Sequence, residues 1–394
     1  MKSDATKEVD RIAESLIDIS HRIHSHPELN YQEHFAHELL TDVLDSSGFS
    51  VTRHAYGVET AFEATLGNAG PEVLILLEYD ALPGIGHGCG HNIIAAAGLG
   101  AALACSRILP EISGRLRVLG TPAEEGGGGK IVMARHGAFG SGDAALMIHP
   151  ADADLVCMTA IAVQTLDVVY EGIAAHAAAA PWIGRNALDA AVLGYMNIAA
   201  LRQHIRPSER IHGVFTEAGE KANIVPRRAA ANWYVRSDTL SSLAPLKQRV
   251  SACLEGAAHA CGCTMTATWD DHPYADVRDN APLVGAYAEN MRSLGRDPLD
   301  PSSAGHHVVG STDLGNVSYL LPAMHPMIRI APQGVAIHTE EFAQYAASES
   351  GDLGVIDGAK ALAMTALDVW SSDDLRTRIR SEWDLVEAPD GLLG

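Results

Sequence analysis

Four short stretches of this chain carry side chains that can bind a metal ion or move a proton: Cys89-Gly90-His91, Glu124-Glu125, His149 and His338. Thiolate, imidazole and carboxylate are the donors that hold a borderline cation such as zinc. Cys89 and His91, one residue apart in a glycine-rich loop, can face a single ion. Taken alone, a thiol beside a histidine is more often packing. Two adjacent carboxylates after an apolar strand repel each other unless they are paired or bound to metal. One of them can then ligate a cation while the other holds a water as general base. An acidic pair entering a helix is the plainer alternative. His149 and His338 are weak signals when read singly. Together Cys89, His91, Glu125, His149 and His338 are too many donors for one four-coordinate zinc, and they suit two close ions sharing a bridging group. The chemistry implied is hydrolysis by a water held between two metals. Glu124 accepts the water's proton and passes it to the leaving amine.

These residues need elements to bring them together. An apolar run, Val73 to Leu77, reads as a buried strand. The loop Glu78 to Asn92 follows, with four glycines, a proline, Asp80 and His87 beside the cysteine and histidine already named. An alanine-rich helix over 92–108 comes next. Arg115 to Gly120 reads as a second strand that ends before Glu124-Glu125, and Ala144 to Met147 as a third that ends before His149. In an open α/β sheet, strand ends on one edge converge, so the three groups are expected at one edge. An amphipathic helix over 6–24 ends at His26-Pro27. A second helix over 32–44, short strands near 51–54 and 60–66, and a long last helix from Asp352 to Trp370 complete the frame. From about 163 the pattern becomes β-α-β-β-α-β, a ferredoxin-like unit. The expected architecture is therefore α/β. A catalytic sheet domain with helices on both faces, residues 1–162 and 278–394, carries an inserted ferredoxin-like domain over 163–277.

Composition narrows the classes. Of 394 residues, 47% are hydrophobic, 20% charged and only 5% aromatic, an ordinary globular balance that favours helices packed on sheets. The net charge of −21 repels nucleic-acid phosphates, and no nucleic-acid partner is expected. The longest apolar run, Ile93 to Cys105, is too short to span a bilayer, so no membrane partner is expected either. The polar start, Met1 to Glu8, is unlike an export signal. The six cysteines are then expected as thiols in a reducing, cytoplasmic setting. The glycines before Lys130 do not make a phosphate loop, because Glu124 and Ile131 stand where glycine and Ser or Thr are needed. There is no G-x-S-x-G elbow and no H-E-x-x-H helix.

The motifs His26-Pro-Glu-Leu29, Asp80-Ala-Leu-Pro83, Cys89-Gly-His91, Thr121-Pro-Ala-Glu-Glu125, His149, Gly172-Ile-Ala-Ala-His176, Asn223-Ile-Val-Pro226 and His338-Thr339 appear in one order along nearly the whole chain. In this the chain resembles the M20 family of metallopeptidases, and its amidohydrolase subgroup of aminoacylases, hippurate hydrolase and auxin-conjugate hydrolases. Within that subgroup, Glu78 to His87 and Gly310 to Asn316 look closer to one branch, which holds the aminobenzoyl-glutamate hydrolase B component and a β-alanyl-lysine-type dipeptidase. The resemblance implies two divalent metal ions per subunit, manganese or zinc with cobalt as a third option. It assigns Cys89, His91, Glu125, His149 and His338 as ligands and Glu124 as general base. It implies a homodimer through the inserted domain, whose His176 reaches the partner's site and steadies the substrate carbonyl. Asn223, Arg236 and Thr312 are candidates for binding substrate. Arg236 could fork a carboxylate, or be a solvated strand end. With five ligands already found, Asp80 is the partner that orients His91, and His87 has no role at the metals. The subgroup's Asp after Cys-Gly-His is Asn92 here, a change expected to alter the tuning of His91. Its Glu-Asp-Phe is Thr312-Asp313-Leu314. His306 and His307 line the cleft or are simply loop.

The expected reaction is cleavage of the amide of an N-acyl or N-aroyl amino acid or a small dipeptide. The alternatives are release of an aromatic amine at the same site and a catalytically silent protein that only binds.

Overall fold

Two N-terminal helices, α1 (Lys2–Ser25) and α2 (His34–Ser46), lead into an antiparallel pair, β1 (Ser50–Arg53) and β2 (Phe62–Ala69). The apolar run follows as β3 (Glu72–Leu77), then α3 (His91–Ile108), β4 (Gly114–Gly120), α4 (Gly129–Arg135), β5 (Ala144–Leu146) and β6 (His149–Ala151). The computed structural model describes residues 1–301 and 309–394. They divide into one unit of Met1–Ala160, Val277–Ala388 and Leu393, and another of Ile161–Asp276, Pro389–Leu392 and Gly394.

The first unit is built on a sheet of order β1-β2-β4-β3-β5, closed at one edge by the strand Ala323–Met324. β3 is buried at every position, as a strand with helices on both faces must be. Its side chains alternate between two cores. Val73, Ile75 and Leu77 face α1, α3 and the helix Glu349–Ser371, whereas Leu74 and Leu76 face Met133, Phe139, Leu314 and Val317. β4 and β5 both run parallel to β3, with Leu77 opposite Gly120 and Ile75 opposite Leu146. That register brings the ends of the three strands level, so the segments after Leu77, Gly120 and Leu146 leave the sheet along the same edge.

α3 passes behind that edge. Its alanines and glycines let α1 and the helix Glu349–Ser371 approach closely. A Cβ on Gly100 would stand 2.6 Å from Leu16 Cδ1 and 3.0 Å from Ala359 Cβ. With the turn that follows, His91–Glu111 is long and apolar enough to cross a membrane, contrary to the length read from the sequence, but 78% of that stretch is buried inside the protein. Its apolarity is explained by its place in the core. The helix expected over 352–370 runs from Glu349 to Ser371 and is not the last. Ser372 breaks the chain and caps a further helix, Asp373–Trp383, by accepting from Leu375 N–H. That segment is charged and buries only Leu375 and Ile379, so it carries no apolar run.

The second unit has strands Ala162–Glu171, Arg210–Glu217, Arg228–Ser237 and Thr264–Trp269 and helices Ala187–Leu201 and Leu240–Cys261. In chain order its strands stand fourth, first, third, second across an antiparallel sheet, the ferredoxin-like arrangement. Asn186 caps the first helix by accepting from Leu188 and Asp189 N–H, and Thr239 with Ser242 forms a capping box on the second. The helix Ala187–Leu201 exposes Val192, Tyr195 and Met196, and the edge strand exposes Val214 and Phe215.

Gly358 lies where the long helix crosses the strand leading to His149; an added Cβ would sit 2.2 Å from Ile148 Cδ1. Gly358→Val is expected to destabilise the protein by about 1–3 kcal/mol through overpacking, read as a lower urea midpoint at unchanged slope.

Candidate active site

Glu78, Asp80, Cys89 and His91 leave the end of β3 and enter α3 within one tight loop. Gly90 turns the chain with φ +77°, and a Cβ there would meet Pro150 Cγ at 2.9 Å, beside His149. A larger residue would therefore part Cys89 from His149. His91 is the first residue of α3 and is fully buried. Its Nδ1 lies 2.9 Å from Asp80 Oδ1, and the other oxygen of Asp80 accepts from Glu125 N–H at 2.9 Å. An ionised carboxylate only accepts, so Nδ1 carries a proton, and whenever the ring is neutral its lone pair sits on Nε2.

Glu124 and Glu125 occupy the turn after β4. Ala123, just before them, is held at φ +59°, a conformation that costs an alanine about 1–2 kcal/mol. The buried carboxylate of Glu33 secures it by accepting from Ala123 N–H at 2.9 Å and from Thr60 Oγ1 at 2.7 Å. Burial, with Asp80 nearby, pushes Glu33 up to about 7. His338 is likewise held at φ +65°, its N–H donating to Gly88 O at 2.9 Å. The loop that ends near Glu125 is thereby tied to the loop that carries Cys89.

The donors gather as two sets that share one atom. Cys89, His91 and His149 form one, and Cys89, Glu125 and His338 the other, each with its donor atoms within 4.8 Å of one another. Cys89 Sγ is 3.6 Å from His149 Nε2, and His338 Nε2 is 3.4 Å from Glu125 Oε2. Donors bound at about 2.0–2.3 Å to a common ion stand about 3–4.5 Å apart, so these separations fit a metal, and the Cys89–His149 pair is also within hydrogen-bond reach for sulfur. His91 Nε2 and Glu125 Oε1 are buried without a hydrogen-bond partner, 3.9 Å apart. Such a pair is satisfied by a proton on Nε2 or by a metal cation between the two atoms. Among the described residues, five carboxylates, on Glu78, Asp80, Glu124, Glu125 and Asp313, face the single ammonium of Lys130 here, an excess that two divalent ions would neutralise.

The same field shows in the titrations. Burial, with Glu78 and Glu125 close by, raises Glu124 well above the usual carboxylate range. Burial also raises the Cys89 thiol and, with His325 adjacent, lowers His149. For His91 burial acts downward, but Asp80, Cys89 and Glu78 outweigh it and raise the ring well above its ordinary value.

Of the remaining candidates, His176, Asn223 and Arg236 belong to the second unit and Thr312 to the first. His176 and Asn223 lie in the second unit on paired segments, with a bridge between His176 and Ile224 and with Ala177 N–H donating to Asn223 O at 3.1 Å. The Nδ1 of the exposed His176 accepts from Ala178 and Ala179 N–H at 3.2 and 3.1 Å, which leaves the proton of the neutral ring on Nε2, pointing outward. Arg236 stands opposite Arg210 across the sheet and lines a groove of about 530 Å³ with Arg202, Arg206 and His212. Arg236 Nε also donates to His212 Nε2 at 3.4 Å. Thr312 is buried, with its hydroxyl accepting from Leu314 N–H. Asn92 does not tune His91. Its amide donates to Ser20 Oγ and Ala346 O, both at 2.9 Å, and joins α1 to the chain before the long helix. His87 packs away from the donors with Nε2 3.1 Å from Ile23 O. His306 and His307 lie outside the described residues.

Sequence reasoning missed Glu78, Lys130, Asp313 and His325, all fully buried beside the donors. The one available signal was an ionisable residue directly after a strand with no polar face.

The model of peptidase family M20/M25/M40 matches residues 74–351. The chain is 40% identical over 398 residues to the Xaa-Arg dipeptidase of Mus musculus, covering 97% of this chain and 92% of that protein. It is 28% identical over 441 residues to the B component of the p-aminobenzoyl-glutamate hydrolase of Escherichia coli K12, covering 94% and 92%. Among solved structures, the YXEP protein of Bacillus subtilis, described as a dinuclear metal binding peptidase of family M20, superposes with TM-score 0.67 at 19% identity, covering 92% of this chain and 99% of that one.

Asp80 joins the two halves of the site, because one oxygen holds His91 and the other holds the backbone of Glu125. Asp80→Asn is expected to lower zinc affinity about 10–100-fold, the usual effect of removing the partner of a ligating histidine, measured by competition with a chromophoric chelator.

Proposed function

We propose that this chain, which belongs to peptidase family M20/M25/M40, cleaves dipeptides and related N-acyl amino acids, with dipeptides ending in arginine as the first substrates to test. It is a metal-dependent amidohydrolase of the peptidase type. The observation that carries the reading is the sharing of Cys89 between two donor sets, with the raised carboxyl of Glu124 beside them.

Cys89, His91 and His149 would hold one ion, and Cys89, Glu125 and His338 the other. One thiolate, three imidazoles and a carboxylate suit zinc or manganese. Divalent ions in such a pair lower the pKa of water and polarise a carbonyl. The chain's own groups do the rest. Glu124 takes a proton from the attacking water and returns it to the amine nitrogen as the C–N bond breaks. Its basicity is set by burial and neighbouring carboxylates in one direction and by adjacent cations in the other. His176, with its proton on Nε2, donates to the carbonyl oxygen as negative charge develops there. We assign this His176 to a second copy of the chain. The apolar side chains that the second unit exposes, Tyr195, Met196, Val214 and Phe215, support such a pairing. Arg236, in a groove of four arginines within an acidic protein, forks the substrate's carboxylate.

A panel of dipeptides and N-acyl amino acids, assayed with added zinc, manganese or cobalt, is expected to release free amino acid. Release of ammonia without an amino acid would instead favour a different reaction at this site. Glu124→Gln is expected to lower kcat by about 10²–10⁴-fold while the metal content measured by mass spectrometry stays the same. Arg236→Ala is expected to raise KM by about 10–100-fold for substrates with a free carboxylate, the worth of a charge-assisted hydrogen bond. The KM of amidated analogues should be unmoved.

A further inference from the structure

Glu78 has no place in the five-donor set, yet its side chain is fully buried against it. Its Oε1 is 2.5 Å from Lys130 Nζ, and that ammonium also reaches Asp313 Oδ1 at 2.7 Å. Asp313 is anchored in turn, because its Oδ2 accepts from Lys130 N–H at 2.8 Å. Lys130 and Asp313 already balance each other, and with His91 neutral, as a metal ligand must be, Glu78 adds a negative charge beyond what Lys130 offsets. Its second oxygen, Oε2, is buried without a hydrogen-bond partner and lies 3.5 Å from His91 Nε2. That distance is too long for an N–H to oxygen hydrogen bond. Once Nε2 binds a metal the ring has no proton to give there, since Nδ1 carries its one proton toward Asp80. Leaving such an oxygen unmatched inside a protein is costly.

Glu78, His91 and Glu124 present donor atoms within 4.8 Å of one another, the spacing of atoms around one ion. We propose that Glu78 is a further ligand of the metal centre, joining His91 at one of its two ions. Lys130 and Asp313 fix its first oxygen so that the second faces the metal. The assignment rests on the metal-dependent reading above and extends it to a residue outside the five-donor set. It also gives Lys130 a role in positioning: its ammonium holds a ligand and stays clear of the ion.

Equilibrium dialysis of the full-length protein against buffered free zinc, with zinc per chain counted by mass spectrometry, tests the assignment without any activity measurement. The wild-type protein is expected to take up two ions. Glu78→Gln is expected to weaken one of them by about 10–100-fold and to shift the visible absorption of the cobalt-loaded protein. Because Glu78→Gln leaves Lys130 with one buried partner fewer, the double variant Glu78→Gln/Lys130→Met removes both charges together. It should fold by circular dichroism and show the same weakened ion. Glu78→Asp keeps the charge but withdraws the carboxylate, and it is expected to lose affinity too. If the variants match a two-ion wild type in stoichiometry, affinity and cobalt spectrum, Glu78 is only the counter-ion of Lys130 and the assignment is overturned. A wild type that takes up fewer than two ions overturns the dinuclear reading, and this assignment with it.

Discussion

Negative charge is buried where three parallel strands end, and much of the first unit is arranged around that fact. Glu78, Asp80 and Asp313 are each no more than 1% exposed, and Glu124 only 8%. Charges of one sign cannot be taken out of water at this density unless cations enter with them. Lys130 supplies one such charge, fixed in the fold. The rest comes from protons or from metal ions, and the donor sets around Cys89 are the groups that could hold such ions. Apart from the metals, the site's tendency is to collect protons, as the raised Glu124, Glu125 and His91 attest.

Holding these groups in place requires rigid backing and local strain. The backing is α3, with α1 and the helix Glu349–Ser371 packed on it closely enough that glycine is needed at the contacts. The strain lies at Ala123 and His338, non-glycine residues in left-handed conformations on either side of the donors. Each is secured by a specific hydrogen bond, from Ala123 N–H to buried Glu33 and from His338 N–H to Gly88 O. Strain of this kind persists only where the surroundings over-determine it. Here it aims Glu124 and His338 from turns that would otherwise be free to move.

Much of this was legible in the residues themselves. β3, β4 and α3 stood out because a fully apolar strand and an alanine-rich helix have strong periodic signatures, and donors at the ends of successive parallel strands must converge. What escaped were features that act through three-dimensional contact. Lys130 stood out only as the residue after a glycine run. Its partners Glu78 and Asp313 lie 52 and 183 positions away. Asn92 sat next to a ligand and suggested a role there, but a side chain one residue along a helix points in another direction, here toward Ser20 and Ala346. The helix Asp373–Trp383 escaped because its few buried side chains make no apolar run.

The second unit meets a different physical requirement, and His176 shows it. The ring is exposed, so burial cannot choose its tautomer. Instead two backbone N–H groups, of Ala178 and Ala179, converge on Nδ1 and compel the donor to Nε2. A lone hydrogen bond to an exposed histidine would be exchanged readily with water; two amides from one turn are there before any substrate or second copy arrives. In the role we propose for His176, a donor fixed in advance would stabilise developing charge without reorganising during the reaction. In the first unit the groups are oriented by burial and counter-charge, which is why its polar atoms are vulnerable to the loss of any one partner. In the second the orientation is built into the backbone turn.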